Sequence, residues 1–361
     1  MKTGIIGLPQ VGKTSLFKIL TRAKLEERSH SNPRESHIGV ARVPDERLDR
    51  LAALYLPRKT TFASVEYADV AAIGGEALKE TAFLTGLRTV DALIHVVRGF
   101  ENEQIAHVGA INPLRDIKSV EFELMVSDLT QIEKRMDRLE KDLKKKRTTE
   151  LEQEHALLLR STSSLEKEIP LREMEMTAEE RKLIKGFTFL SQKPVLYAVN
   201  IGESNTLGDD LDAAVTRYGL DEVANRPNAG ATAFCGKVEA ELAEMEDEEA
   251  VDFLAGYGLR ESALVRLIRK SYQLLGLISF FTAGEDECRA WTIPVGSKAP
   301  QAAGAIHTDL EHHFIRAETI RWDKLLEAGS EAAARGKGTL RLEGKEYIVH
   351  DGDVLNIRHS G

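Results

Sequence analysis

Residues 3–17 read Thr3-Gly4-Ile5-Ile6-Gly7-Leu8-Pro9-Gln10-Val11-Gly12-Lys13-Thr14-Ser15-Leu16-Phe17, and this stretch decides the fold. The apolar run Thr3–Gly7 predicts a short buried strand, and the pattern from Gly12 to Lys24 predicts a helix. Between them, Gly7 to Thr14 matches G-x-x-x-x-G-K-[ST] in the strand–loop–helix context that gives the motif its meaning. The glycines let successive backbone N–H groups wrap a phosphate chain, and the helix N-terminus adds positive potential. Lys13 can reach the β- and γ-phosphates of a nucleotide, and the Thr14 hydroxyl can bind Mg2+. Leu8, Pro9, Gln10, Val11, Gly12, Lys13, Thr14 and Ser15 are therefore the expected phosphate-binding residues.

Working outward, Asp45–Leu54, with leucines at 48, 51 and 54, reads as a helix, and Ala63–Val70 as a strand. Ala92–Val97, Val195–Asn200 and Ala231–Cys235 repeat the buried-strand character. Apolar strands separated by helices imply an α/β domain with a parallel sheet covered on both faces. From about Val120 to Lys185 the texture changes to charge-dense sequence nearly free of Gly and Pro. There Leu129, Ile132, Met136, Leu139 and Leu143 fall at spacings of three and four, and a weaker repeat follows at Leu151, Leu158 and Leu165. This reads as an antiparallel helical hairpin inserted into the α/β domain, in preference to two ordinary surface helices. The basic run Lys144-Lys145-Lys146-Arg147 lies at its tip, as a solvated end or as a local RNA contact. The last 85 residues read as a small α+β module. Its expected strands are Leu277–Thr282, Glu287–Pro294, Phe314–Ile320, Gly338–Leu342 and Val354–Arg358, with helices over Ala299–Asp309 and Trp322–Leu326. With Arg260–Gly276 as the last helix of the first domain, the expected divisions are 1–119 with 186–276, the insert 120–185, and 277–361.

Composition narrows the function. The chain of 361 residues carries a formal net charge of −9, so it is no globally basic nucleic-acid binder, and DNA is not an expected partner. No apolar run approaches the ~20 residues of a membrane span. Met1-Lys2-Thr3 leads straight into the first strand, so no removable leader is expected. The two cysteines, Cys235 and Cys288, give no disulfide or zinc framework, and the expected compartment is the cytoplasm.

Two further motifs bear on chemistry. Asp69 ends the strand Ala63–Val70, where a carboxylate holds Mg2+ through water in a P-loop nucleotidase. Lys13 and Asp69 are thus the expected catalytic residues, with Thr14 and Asp69 as metal ligands. In GTPases the pattern here is D-x-x-G; this chain has Ala72 at the glycine position and Ile73 where many carry a water-orienting Gln. An apolar side chain cannot polarise water, so hydrolysis uses another group or is slow. The base-reading loop is expected at Asn200-Ile201-Gly202-Glu203. GTPases have N-K-x-D, whose Asp takes two hydrogen bonds from guanine; with Ile201 and the longer Glu203 that pairing is weakened, which admits ATP. Cys235 and Gly236 follow the next strand and can close over the base through their backbone. Other residues read as structural: His307 as a cap-adjacent side chain, His312 and His313 without zinc spacing, Glu244–Glu249 as a solvated helix end, and Phe280, Phe281 and Trp291 as core. His37 stands in the expected first switch, near the phosphates or in an exposed loop.

Over nearly its whole length the sequence resembles the YchF family, also called Obg-like ATPases. The segments that carry the resemblance are GLPQVGKTSLF, VPDERLDRL, VEYADVA, HVVRGFEN, the N-x-x-E at 200–203, KVEAELAEMEDEE, and the C-terminal runs FFTAGEDECRAWTIPVGSKAPQAAGAIHTDLEHHFIRAETI and LRLEGKEYIVHDGDVLNIR. The resemblance implies an Obg-type P-loop domain, a coiled-coil arm and a C-terminal TGS domain of ubiquitin-like β-grasp fold. It also implies a cytoplasmic, ribosome- or ribosomal-RNA-associated NTPase with Mg2+, preferring ATP to GTP through N-x-x-E; the altered switch residues point to slow or partner-dependent hydrolysis of the γ-phosphate. The alternatives are a non-hydrolysing nucleotide-dependent adaptor and a genuine GTPase. The chain departs from the family pattern at Gln10, usually Asn, at Asp69–Ile73, usually D-x-A-G-L, and at Asn32–Ile38, where a T-I-E-P-N stretch is usual.

Overall fold

The computed structural model describes residues 1–21, 37–70, 81–102, 109–203 and 211–360. Twelve strands run through them: β1 (Lys2–Ile6), β2 (His37–Arg42), β3 (Lys59–Thr61), β4 (Ser64–Asp69), β5 (Ala92–Gly99) and β6 (Val195–Ile201), then β7 (Ala229–Phe234), β8 (Leu277–Thr282), β9 (Glu287–Pro294), β10 (Phe314–Arg321), β11 (Arg341–Glu343) and β12 (Asp353–His359). The chain divides into two compact units, Met1–Val40 with Glu66–Leu267, and Ala41–Val65 with Ile268–Gly361. No described helix is long and apolar enough to cross a membrane.

The first sheet has the order β2-β4-β1-β5-β6-β7. Its pairs β1–β4, β1–β5, β5–β6 and β6–β7 are parallel. Every residue of β5 and of β6 is buried, as strands covered on both faces must be. The expected parallel α/β sheet is thus present.

The helical insert starts earlier than its apolar seam indicates. One helix runs over Pro113–Lys145, 33 residues, begun by the Asn112 side chain accepting from the Arg115 amide and by Pro113 in the first turn. Its partner, Thr149–Glu166, is capped by Thr148. The expected seam closes between them: Ile132, Leu139, Leu157, Leu158 and Leu165 form one buried cluster, with Leu129, Met136, Leu143 and Leu151 packed at its edge. Arg135 crosses the hairpin to Glu154 with two bonds of 2.7 Å. Lys144 to Arg147 are all exposed at the turn.

Charge density hides two buried polar anchors at the root of this hairpin. Asp128, fully buried, accepts from the Leu190 and Ser191 amides at 2.9 and 2.7 Å. Glu121 is ion-paired with Arg172 and accepts from the Tyr197 hydroxyl at 2.6 Å.

The second unit is built on a six-stranded sheet of order β11-β10-β12-β8-β9-β3. The pairs β8–β9, β10–β12 and β10–β11 are antiparallel, while β8–β12 and β3–β9 are parallel. Phe280, Ile293, Ala302, Phe314, Ala317 and Leu355 lie in its core, with Trp291 against them. Phe281 is also fully buried, so the aromatics expected to be core are core. The expected helix Ala299–Asp309 is broken: Ala299–Ile306 ends before His307, whose extended backbone and ring nitrogen, accepting from the Asp309 amide at 3.2 Å, cap Thr308–His312.

Residues 41–65, expected within the nucleotide-binding domain, fold with this unit. Helix Glu46–Tyr55 starts at the Asp45 cap and buries Leu48 and Leu51 completely. The Arg47 guanidinium donates to Asp45 at 2.8 Å and to Asp351 at 2.6 Å, above the Phe281 ring. Strand β3 then adds to the edge of β9.

Candidate functional site

The phosphate-loop motif occupies the turn from β1 into the helix Lys13–Thr21. Gly7 and Gly12 take φ of 146° and 102°, conformations that side chains resist, and a Cβ on Gly12 would meet the Asn200 amide nitrogen at 2.5 Å. Gln10 stands at φ 62° without being glycine, a left-handed position costing roughly 1 kcal/mol. Lys13 is 7% exposed and donates to the Leu8 carbonyl at 2.6 Å, so its ammonium lies over the loop. Burial pushes that ammonium down to about 8, against the pull of the Asp69 charge.

Parallel pairing places Ile5 of β1 beside Asp69 of β4, which brings the carboxylate to the loop. The Thr14 hydroxyl lies close enough to Asp69 to act on its carboxylate. Burial raises the Asp69 pKa, opposed by that hydroxyl and by the charges of Lys13, His37 and Lys18. His37 is thus within electrostatic reach of Asp69. Residues 32–36 of the first-switch segment, and Ala72 and Ile73, lie outside the described residues.

Asn200, near the end of β6, joins the loops. Its amide donates to the Val11 carbonyl at 3.1 Å and accepts from the Gly236 amide at 3.0 Å. These contacts border a cleft of about 1090 Å³, lined by Gln10, Gly12, Ser15, Asn200, Ile201, Glu203, Cys235 and Gly236 among the expected residues. Lys13, Thr14 and Asp69 cluster together beside the loop, while Leu8, Pro9 and Val11 contribute its backbone. Ile201 borders the cleft with its side chain buried, unlike the covering Lys stem of N-K-x-D. The Glu203 carboxylate accepts from Lys237 at 2.6 Å and from the Tyr257 hydroxyl at 3.1 Å.

One wall escaped the sequence reading. Gly99, Phe100, Glu101 and Asn102 line the cleft, with Tyr218. Arg98, 2% exposed, shapes this wall by donating to the Phe100 and Asn102 carbonyls at 3.0 and 3.4 Å. An arginine ending an apolar strand was the available signal, since such a charge is rarely buried without carbonyls to hold.

A parallel sheet with this glycine loop after β1, an acid closing β4 and an asparagine-tied loop after β6 defines a P-loop nucleotide-binding fold. Residues 277–360 match the family YchF-GTPase_C, described as a protein of unknown function (DUF933). The "Ribosome-binding ATPase YchF" of Bacillus subtilis (strain 168) is 41% identical over 368 residues, covering 99% of each chain. "Obg-like ATPase 1" of Oryza sativa subsp. japonica is 34% identical, covering 98% of this chain and 91% of that one. The structure of the Schizosaccharomyces pombe YchF GTPase superposes with a TM-score of 0.84 at 33% identity, covering 99% and 97% of the two chains. The chain belongs to the YchF family of Obg-like ATPases.

Proposed function

We propose that this protein is a P-loop nucleoside triphosphatase that binds ATP in preference to GTP and works in association with the ribosome. The observation that carries the reading is the Asn200 side chain, bonded to both the phosphate loop and the Gly236 amide, which makes a phosphate cradle and a base loop into one cleft. In this reading the backbone of residues 8–15 wraps the phosphates and Lys13 neutralises their charge. Asn200, Ile201, Glu203, Cys235 and Gly236 border the base. The names of the bacterial relatives support the ribosome as partner. The exposed run Lys144–Arg147 at the hairpin tip offers a cationic contact for ribosomal RNA, and such a partner places the protein in the cytoplasm. The C-terminal unit, in the same reading, is the β-grasp TGS module.

Thr14 and Asp69 present adjacent hard oxygens beside the loop, a donor set that suits Mg2+, which takes one or two protein oxygens and fills its octahedron with phosphate and water. Bound there, Mg2+ would supply charge neutralisation at the β- and γ-phosphates. The chain's own contribution is electrostatic: loop amides and Lys13 oppose the charge that develops as water attacks the γ-phosphate. Ile73 offers no group to orient that water, so turnover is slow. The same residue favours a second reading, a nucleotide-dependent adaptor that does not hydrolyse. Single-turnover assays with and without ribosomes separate the two, since an adaptor shows no rate above buffer in either.

Calorimetric titration with Mg2+ and ATP, GTP or their diphosphates tests the proposal, with ATP expected to bind more tightly than GTP. Absence of binding to every nucleotide overturns it. Co-sedimentation with ribosomes, expected to change with the bound nucleotide, tests the partner. A pH series adds a check on Lys13. Free Lys13 loses its proton near pH 8, and phosphate binding requires the ammonium. Affinity for ADP should therefore hold from pH 6.5 to 7.5 and fall above pH 8, by up to about tenfold per unit. Folding stability moves the other way. The unfolded chain keeps the Lys13 proton up to the ordinary lysine value of 10.5, so this group's unfavourable contribution is relieved as pH rises from 8 to that value.

A further inference from the structure

Glu203 is held from two directions. Its side chain is 42% exposed at the rim of the cleft, and each carboxylate oxygen has a donor: Lys237 on one at 2.6 Å, the Tyr257 hydroxyl on the other at 3.1 Å. Lys237 comes from the helix Gly236–Glu244, and Tyr257 follows the helix Asp247–Gly256. The Tyr257 ring is itself supported by Phe253, at 5.1 Å between centroids. Reading guanine requires a carboxylate to turn both oxygens toward the N1–H and the 2-amino group in one plane. Two donors from separate elements hold this carboxylate in a set plane and take up an acceptor site on each oxygen.

We propose that Tyr257 is a positioning residue for base choice: with Lys237 it pins the Glu203 carboxylate at the rim, where it cannot align with the two donors of a guanine edge. This rests on the cleft being the nucleotide site, as proposed above. Tyr257 does not line the cleft, so it acts on the base only through Glu203. Adenine, which lacks that pair of donors, gains nothing from a freed carboxylate.

Tyr257→Phe removes the hydroxyl and keeps the ring, so the fold is retained. The full-length variant is titrated with ATP, GTP and ITP beside the unaltered protein. GTP is expected to bind about five- to tenfold more tightly than before, the scale of one hydrogen bond to a charged group. ATP should stay within about twofold, and ITP, which lacks the 2-amino donor, should gain less than GTP. Adding Glu203→Gln to the variant should abolish the GTP gain, which a role in packing alone would not do. An unchanged ratio of ATP to GTP affinity, or an equal shift in both, overturns the proposal while leaving the nucleotide site standing. If the unaltered protein binds no nucleotide, or binds ATP and GTP equally, the reading of the site fails first and this proposal with it.

Discussion

Lys13→Ala is expected to abolish tight nucleotide binding and to leave the fold intact. In the proposed site Lys13 makes two charge-assisted contacts to phosphate; losing both, at about 1.5–3 kcal/mol each, should lower affinity for ATP at least about a hundredfold. Stability responds differently. Burial holds the Lys13 ammonium below its ordinary lysine value, and it donates to the Leu8 carbonyl. Removing it forfeits that bond and some packing but also removes a poorly solvated charge, so unfolding free energy should change by no more than about 1 kcal/mol. Titration calorimetry and a urea melt on the same preparation give both numbers. Wild-type affinity in the variant would mean that the glycine loop does not hold the phosphates.

The largest effect on stability is expected at the root of the helical hairpin. Glu121 and Arg172 have side chains 8% and 2% exposed, and their ion pair is bridged by the Tyr197 hydroxyl, which donates to Glu121 at 2.6 Å and accepts from Arg172 at 3.1 Å. Glu121→Leu strands the guanidinium in a buried site, at a cost of about 3–5 kcal/mol. The double variant Glu121→Leu with Arg172→Leu removes both charges and should recover most of that loss. Chemical denaturation followed by circular dichroism measures each. Additive losses in the double variant would show that the two groups do not act as a pair.

These anchors also mark where sequence reading runs out. The phosphate loop was legible because its meaning is local: eight residues, a strand before and a helix after. The seam of the hairpin was legible because leucines at spacings of three and four have one packing solution. Glu121, Asp128 and Arg172 were not, since a charged residue in a charge-dense helix looks solvated until its partner, 51 residues away for Glu121, is in place. The same holds for residues 41–65. Leu48 and Leu51 show which face of their helix is buried, but contacts such as Arg47 with Asp351 and Phe281 are needed to show that it is buried in the C-terminal unit. In the cleft, the expected residues came from motif positions, whereas Arg98, Lys237 and Tyr257 act through partners that no spacing rule connects.

The helix Pro113–Lys145 spans about 50 Å at 1.5 Å per residue. It is rooted beside β6, the strand that carries Asn200, and ends in the cationic turn. From its anchor at Glu121 to the tip, about 36 Å at 1.5 Å per residue, the helix is a lever: tilting that root by about 5° sweeps the far end through about 3 Å. That displacement is the length of a hydrogen bond, so a small tilt at the root suffices to make or break the ribosomal contact proposed for Lys144–Arg147.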